Sequence, residues 1–354
     1  MKAPVYIGLM SGTSLDGLDI AACSFDGGGF RLYAAETRPF DPLLKKRLRH
    51  AAESNVESLS ALHAEFGSWM GKAASDFMKS HGIEAVEALC SHGQTLLHRP
   101  GQRHTLQIGS GAHLAAASGC RVVCDFRQGD MALGGQGAPL VPLAERDLFP
   151  EYAFFINLGG IANISVRKSD GSMEGFDVCA CNCILDSLAG ALGEEMDEDG
   201  RRAAKGNAHE GLLRTLISAS DEAFGSSALD AGEAARLFFA KAALFSLTTD
   251  DCLATAVRYI SRMLARALAP HLPSAGDKRV LLTGGGAFNK TLIKQLSEEA
   301  PSFRFQVPDA DLVRYKEAVA FAYLGKLRLE KKVNILASVT GASRDSIGGA
   351  VYLP

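Results

Sequence analysis

The sequence predicts an α/β protein built from two similarly organised halves. An apolar run that ends in a small hydroxyl-rich turn and leaves it as a second apolar run occurs near residue 10, and the pattern partly returns near residue 160. Strand-length apolar runs also alternate with longer stretches whose apolar residues recur at helical spacing. At 354 residues the chain exceeds what one core usually serves. The expected division is 1–150, 151–334 and a C-terminal segment 335–354, part of which completes the first domain.

In the first half, Val5–Met10, Leu18–Phe25 and Phe30–Ala35 read as an antiparallel meander. The first turn, Gly12-Thr13-Ser14-Leu15-Asp16-Gly17, offers glycine N–H groups and two hydroxyls to phosphate oxygens. Asp16 and Asp19 could hold a hydrated Mg²⁺ beside them. A plain polar hairpin turn accounts for the same residues. Asp41-Pro42 opens a helix through Ala52, with Asp at the cap and Pro at the first helical position. Val56–Ser80 is an amphipathic helix whose stripe of Leu59, Leu62, Phe66, Trp69, Met70, Ala73 and Phe77 belongs to the core. A strand at Ala85–Cys90 then runs into a polar loop, Ser91–Thr95. There His92 is either an acid–base group or a hydrogen-bonding partner that orients the loop.

Thr105–Ile108 and Arg121–Cys124 read as strands around a short helix, Gly111–Gly119. Arg127 follows, as a bidentate fork for a carboxylate or phosphate or as an ion-pair partner of Asp125 or Asp130. The glycine-dense stretch from Gly134 to Pro142 marks a boundary region. In the second half, Tyr152–Asn157 and Ile164–Val166 are strands around the loop that holds Gly159 and Gly160. Gly175-Phe176-Asp177 lies in a run that returns to the same end of the sheet. Thr248–His271 is helical, capped by Thr248 with Asp251. Arg279–Thr283 is a strand entering Gly284-Gly285-Gly286, with a helix at Lys290–Glu299. That arrangement brings backbone close to a nucleotide or makes a tight structural turn. Lys316–Glu330 is the last long helix, with Glu317 in its first turn.

Apolar content of 47% and charged content of 22% belong to an ordinary globular protein. A net charge of −3 gives no handle on nucleic acid or an anionic membrane. No apolar run reaches bilayer length and the first residues lack the plan of a secretion signal, so a cytoplasmic location is expected. Cys179, Cys181 and Cys183 have spacing that suits a soft metal, but no second Cys-x-x-Cys or His-rich motif accompanies them. Packing cysteines in a reducing compartment are the alternative.

Taken in order, these segments resemble the anhydro-N-acetylmuramic acid kinase family, within the actin-like ATPase and sugar-kinase fold. The resemblance spans almost the whole chain. It rests on Met10-Ser11-Gly12-Thr13-Ser14-Leu15-Asp16-Gly17-Leu18-Asp19, Ser91-His92-Gly93-Gln94-Thr95, Asp125-Phe126-Arg127 and Gly134-Gly135-Gln136-Gly137-Ala138-Pro139-Leu140-Val141-Pro142. It continues in Asn157-Leu158-Gly159-Gly160-Ile161-Ala162-Asn163, Gly284-Gly285-Gly286-Ala287, Lys316-Glu317-Ala318-Val319-Ala320-Phe321-Ala322 and Val339-Thr340-Gly341-Ala342.

The resemblance implies two ribonuclease-H-like domains facing each other across a nucleotide cleft, with ATP and Mg²⁺ as cofactors. Gly12, Thr13, Ser14, Asp16, Gly17 and Asp19 would meet the phosphates. Gly159, Gly160 and Asn163 would face them, and Gly284, Gly285 and Gly286 would approach the adenosine. Asp177 would be the general base on the water that opens a 1,6-anhydro bridge at C1, after which the released O6 takes the γ-phosphoryl group. His92, Gln94, Arg127, Asn182 and Glu317 would bind the sugar; scaffold ion pairing is the alternative for Arg127 and Glu317. A homodimer, with neither nucleic-acid nor membrane partners, completes the expectation.

Three segments depart from the family pattern. After Asp177 the family reads Thr-Gly-Pro-Gly-Asn, whereas this chain has Val178-Cys179-Ala180-Cys181-Asn182. Cysteines in place of glycines are expected to deny positive φ and put side chains where backbone met ligand. A Lys-Ser-Thr-Gly-Arg-Glu segment is replaced within Leu229–Phe238, and a Phe-His pair by Ala144-Glu145. These changes keep open a kinase for another sugar, or a nucleotide-binding regulator.

Overall fold

A computed structural model describes residues 3–12, 15–27, 29–223, 229, 231–272 and 278–354. They form two compact units, one of 1–150 with 315–354 and one of 151–314. The boundary expected at 334 therefore moves back, because the last long helix joins the first unit from Tyr315 onward. Among the described residues no helix is long and apolar enough to cross a membrane.

The first unit opens as the meander read from the sequence, with β1 (Val5–Ser11), β2 (Gly17–Asp26) and β3 (Gly29–Pro39) antiparallel. Asp41 caps α1 (Pro42–Arg49) by accepting from the N–H groups of Leu43 and Leu44, both at 2.9 Å. Asn55 does the same for α2 (Val56–Ser80) through the N–H of Ser58 at 2.8 Å. The stripe of α2 is core: Leu62, Phe66, Met70, Ala73 and Phe77 are buried, with Leu59 and Trp69 packed against them. β4 (Ala88–Arg99) runs parallel to β1 and then hairpins with β5 (His104–Ile108). The expected loop at 91–95 is thus strand. α3 (Gly111–Ser118) lies close on α2 at Gly67 and Gly71, where a Cβ would sit 2.5 Å from the Ser110 carbonyl oxygen and 2.7 Å from that of Leu114.

β6 (Val122–Cys124) pairs parallel to β4. The expected boundary stretch after it is folded, between α4 (Gln128–Ala132) and α5 (Val141–Leu148). Buried Asp130 fastens its glycines: its carbonyl accepts from Gly135 N–H at 2.9 Å and its carboxylate from Gly137 N–H at 2.7 Å.

The second unit repeats the plan. β7 (Phe154–Leu158), β8 (Ile161–Arg167) and β9 (Met173–Ala180) form a second antiparallel meander. Helices α6 (Asn182–Gly190), α7 (Glu210–Ala223), α8 (Ala231–Ala242) and α9 (Thr249–Leu268) follow. Thr248 caps α9 through the N–H of Asp251 at 3.1 Å, as read from the sequence. β10 (Arg279–Thr283) returns parallel to β7, α10 (Lys290–Glu299) follows the glycines, and β11 (Arg304–Gln306) pairs parallel to β10. Buried faces of α6, α7 and α9 and of the sheet make this unit's core.

α11 (Ala310–Leu329) starts six residues before the expected helix, capped by Asp309 accepting from Leu312 N–H at 2.9 Å. Glu317 is consequently past the first turn. In the first unit α11 presses on β1, where a side chain at Gly8 would collide with the Ala318 carbonyl. After α12 (Ala337–Thr340), β12 (Ala350–Tyr352) closes the first sheet antiparallel to β6. The sheet orders are β3-β2-β1-β4-β6-β12, with β5 on β4, and β9-β8-β7-β10-β11. Each unit therefore lays an antiparallel meander beside parallel strands in the same sequence order, and the fold class is α/β as expected.

Candidate functional site

The β1–β2 turn of the first unit carries the expected phosphate residues. Thr13 and Ser14 lie outside the described residues. Leu15 is buried with φ +57°, its N–H on the Gly12 carbonyl at 3.3 Å, and Asp16 is exposed with Lys45 Nζ 3.4 Å from its carboxylate. Gly17 is explained by packing, since a Cβ there would lie 2.5 Å from the Arg38 carbonyl oxygen. Asp19 accepts from Thr37 Oγ1 at 2.6 Å. Burial pushes its carboxyl up to about 6, and the charges of Glu317 and Asp16 push the same way.

His92 sits at a β-bulge. The β1–β4 register passes from Leu9 opposite Ser91 to Met10 opposite Gly93, so His92 is the extra residue, followed by Gly93 at φ +74°. Its Nδ1–H donates to the Gly93 carbonyl at 2.9 Å, and its Nε2 accepts from Arg127 Nε at 3.0 Å and Nη2 at 2.8 Å. Burial, reinforced by the Arg127 charge, drives the imidazole well below its ordinary pKa. Of the two roles open from the sequence, the geometry is that of the orienting partner. Gln94 is also engaged, its Oε1 accepting from the Ser11 hydroxyl.

Arg127 donates through Nη1 to the Gly137 carbonyl at 2.5 Å, and pairs with neither Asp125 nor Asp130. Burial lowers its pKa to about 10, against the opposing pull of Glu317. Glu317 is half-buried and its carboxylate makes no hydrogen bond among the described residues. Burial raises its pKa against the pull of Lys316 and then Arg127. Lys316 is itself committed, its Nζ 2.5 Å from Glu145 Oε1 with both side chains about 5% exposed or less.

In the second unit a polar row crosses the sheet: Thr283 pairs with Asn157, Asn157 with Asn163, and Asn163 with Asp177. Directly paired residues point to the same face. The register then slips, leaving Val178 as a bulge beside Asp177. The half-buried Asp177 carboxylate accepts from the Leu229 N–H at 2.9 Å, and burial raises its pKa while that N–H opposes the rise. The altered Leu229–Phe238 segment thus touches this carboxylate at its first residue; Asp230 lies outside the described residues.

Asn182 ties the glycine loops together. Its N–H donates to the Gly159 carbonyl at 3.0 Å, its Nδ2 to the Leu158 carbonyl at 2.9 Å, and a Cβ on Gly286 would lie 3.0 Å from its Oδ1. The geometry makes it a brace rather than a free ligand contact. Gly284 needs its freedom, with φ +80° and a Cβ position 2.6 Å from Asn157 Oδ1. Among the described residues nothing lies within 4 Å of a Cβ on Gly160, and only Asn182 Nδ2, at 3.4 Å, of one on Gly285.

The cysteine departure does not call for positive φ. Cys179 and Cys181 are buried in the second unit's core and residues 178–181 have no positive φ, but Cys181, with φ −131° and ψ −103°, sits outside the main allowed regions. Their side chains point into packing, not into open space. Burial raises the pKa of Cys179, Cys181 and Cys183, and no cluster of three metal-ligating side chains occurs among the described residues. They are packing cysteines.

The sequence profile of the family described as anhydro-N-acetylmuramic acid kinase matches residues 4–354. The chain belongs to that family. A relative of that name from Xanthomonas campestris pv. campestris is 35% identical over 372 residues, covering 99% of this chain and 97% of its own. Another from Sulfurimonas denitrificans is 32% identical over 374 residues, covering 98% and 99%. Among solved structures, component A of the Acidaminococcus fermentans (R)-2-hydroxyglutaryl-CoA dehydratase covers 91% of this chain and 97% of its own, at 13% identity with a TM-score of 0.49.

Sequence reasoning gave Lys316, Asn157 and Thr283 no role of their own, and named Glu145 only as a departure from the family pattern and Asp130 only as an alternative partner of Arg127.

Proposed function

We propose that this family member is an ATP-dependent kinase that converts 1,6-anhydro-N-acetylmuramate and water to N-acetylmuramate 6-phosphate, in the recycling of cell-wall sugar. The observation that carries the reading is Asp177, a half-buried carboxylate beside a β-bulge, steadied by one backbone N–H and made more basic by burial. A carboxylate so placed suits a general base, a role worth on the order of 10²–10⁴ in rate.

In the proposed reaction Asp177 takes a proton from water as its oxygen bonds to C1. The C1–O6 bond breaks, its electron pair stays on O6, and O6 attacks the γ-phosphorus while the bond to the ADP oxygen breaks. We assign the phosphates of ATP to the Gly12–Asp19 turn and the glycine loops; the unfilled space before Gly160 favours this, since backbone can approach a phosphate where no side chain stands. Asp16 and Asp19 offer the carboxylate oxygens that Mg²⁺ prefers. When bound, the ion neutralises phosphate charge. Arg127 and Glu317 are assigned to the sugar, Glu317 because its carboxylate is uncommitted. Eight free cysteines, most of them buried, favour the reducing cytoplasm. A homodimer is proposed on the family resemblance.

The test is incubation of purified protein with Mg-ATP and 1,6-anhydro-N-acetylmuramate, following ADP and sugar phosphate by mass spectrometry and assembly by sedimentation. Turnover lost in Asp177→Asn, with ATP binding kept, supports the reading. ATP binding without any sugar turnover in the wild type overturns it and leaves the other-sugar kinase, to be sought with a sugar panel.

A further inference from the structure

Both cations that act on Glu317 are held by other acceptors. Lys316, the next residue on α11, has its ammonium on Glu145. Arg127 gives Nε and Nη2 to His92 and Nη1 to the Gly137 carbonyl. Between them Glu317 is left without a hydrogen bond among the described residues, although its neighbours carry two positive charges. A carboxylate in such company ordinarily closes an ion pair, because the attraction strengthens as water is excluded. Something must draw the cations off. Glu145, whose second carboxylate oxygen, Oε2, has no partner among the described residues, is the residue that occupies Lys316.

We propose that Glu145 is a positioning residue that sequesters Lys316, so that Glu317 presents an unpaired carboxylate to the hydroxyl donors of the sugar. The inference rests on the assignment of Glu317 to a sugar. It gives the Glu145 departure a function: the chain sets its affinity for a hydroxyl-rich ligand from a residue that never touches it. The pair is buried, so its loss is not screened by solvent, and a carboxylate freed of competing cations accepts two or more hydroxyl hydrogen bonds.

The experiment measures steady-state kinetics and the melting temperature of E145Q, E145D and the double variant E145Q/K316M. In E145Q the ammonium loses its carboxylate and turns to Glu317. The expected result is a sugar KM raised about tenfold, with kcat and the ATP KM within about twofold of wild type, the pattern of lost uniform binding. E145D restores most of the affinity. E145Q/K316M restores it too, because the competing cation is gone; a direct contact from Glu145 to the sugar leaves the double variant impaired, and a purely structural pair lowers the melting temperature of E145Q without raising its sugar KM. Should E145Q not fold, E145H serves as the uncompensated variant. An unchanged sugar KM in the single variant, or a double variant as weak as the single, overturns the inference while leaving the kinase intact. A wild type that neither turns over nor binds the sugar removes the kinase reading itself.

Discussion

His92 holds Arg127 from the inside of the first unit: one ring nitrogen accepts two guanidinium N–H groups while the other donates to the Gly93 carbonyl. The imidazole must be neutral to do this, and burial, reinforced by the Arg127 charge, holds its pKa low. His92→Ala leaves buried guanidinium donors without an acceptor and opens a cavity. We expect a loss of about 2–4 kcal/mol, read as a fall in the urea unfolding midpoint. The pH sense follows. The unfolded imidazole titrates near 6.5 and the folded one well below, so the unfolded chain binds more protons beneath 6.5 and stability falls as pH drops from there. His92→Gln is expected to flatten that slope; an unaltered slope contradicts the neutral ring.

Asp19 has the opposite sign. Its folded pKa of about 6 stands above the ordinary 3.8, so its contribution is favourable below 3.8 and is lost as pH rises through 6. Asp19→Asn is therefore expected to gain on the order of 1–3 kcal/mol over wild type at pH 7.5, with the gap closing below pH 4. Denaturation curves at several pH values check this. A variant less stable than wild type at pH 7.5 contradicts it.

Among the described residues the Leu229 N–H is the one donor on Asp177 that restrains its rise in pKa. Leu229→Pro removes that donor. The acid limb of the kcat/KM profile for the sugar is expected to move upward by about one pH unit. A limb that stays in place means that Asp177 does not set it.

Two glycines separate folding from binding. Gly284→Ala forces a side chain into φ +80° and against Asn157, and is expected to cost about 1–3 kcal/mol of stability. Gly160→Ala meets nothing among the described residues, so stability stays within about 0.5 kcal/mol of wild type, while ATP affinity falls about tenfold. Thermal melts with and without Mg-ATP distinguish the two. Unchanged nucleotide affinity in Gly160→Ala withdraws that loop from the phosphates.

Much of the fold was legible because its signals are local. Asp41 and Thr248 announce helices through their own side chains, and each accepts the N–H that its position predicts. What escaped depends on counting across strands. The Ser91–Thr95 segment looks like a loop because a bulge breaks the alternation at His92, and only the partner strand shows that one residue is extra. Glu145 and Lys316 are 171 positions apart, so no spacing rule connects them. Asn182, expected at the sugar, spends its amide on loop backbone. The cysteines after Asp177 raised an alarm because residue identity alone does not tell which way a strand faces.

The glycine on β1 carries one more consequence. Gly8 leaves a slot shaped for the backbone of Ala318, and the residues that fill it are made after the whole second unit has been synthesised. The stretch 151–314 is continuous and can settle as soon as it emerges from the ribosome, whereas the first unit waits, its sheet short of β12 and its β1 face uncovered, until residues 315–354 arrive. The unit that comes first in the sequence is therefore the one whose last pieces are made last.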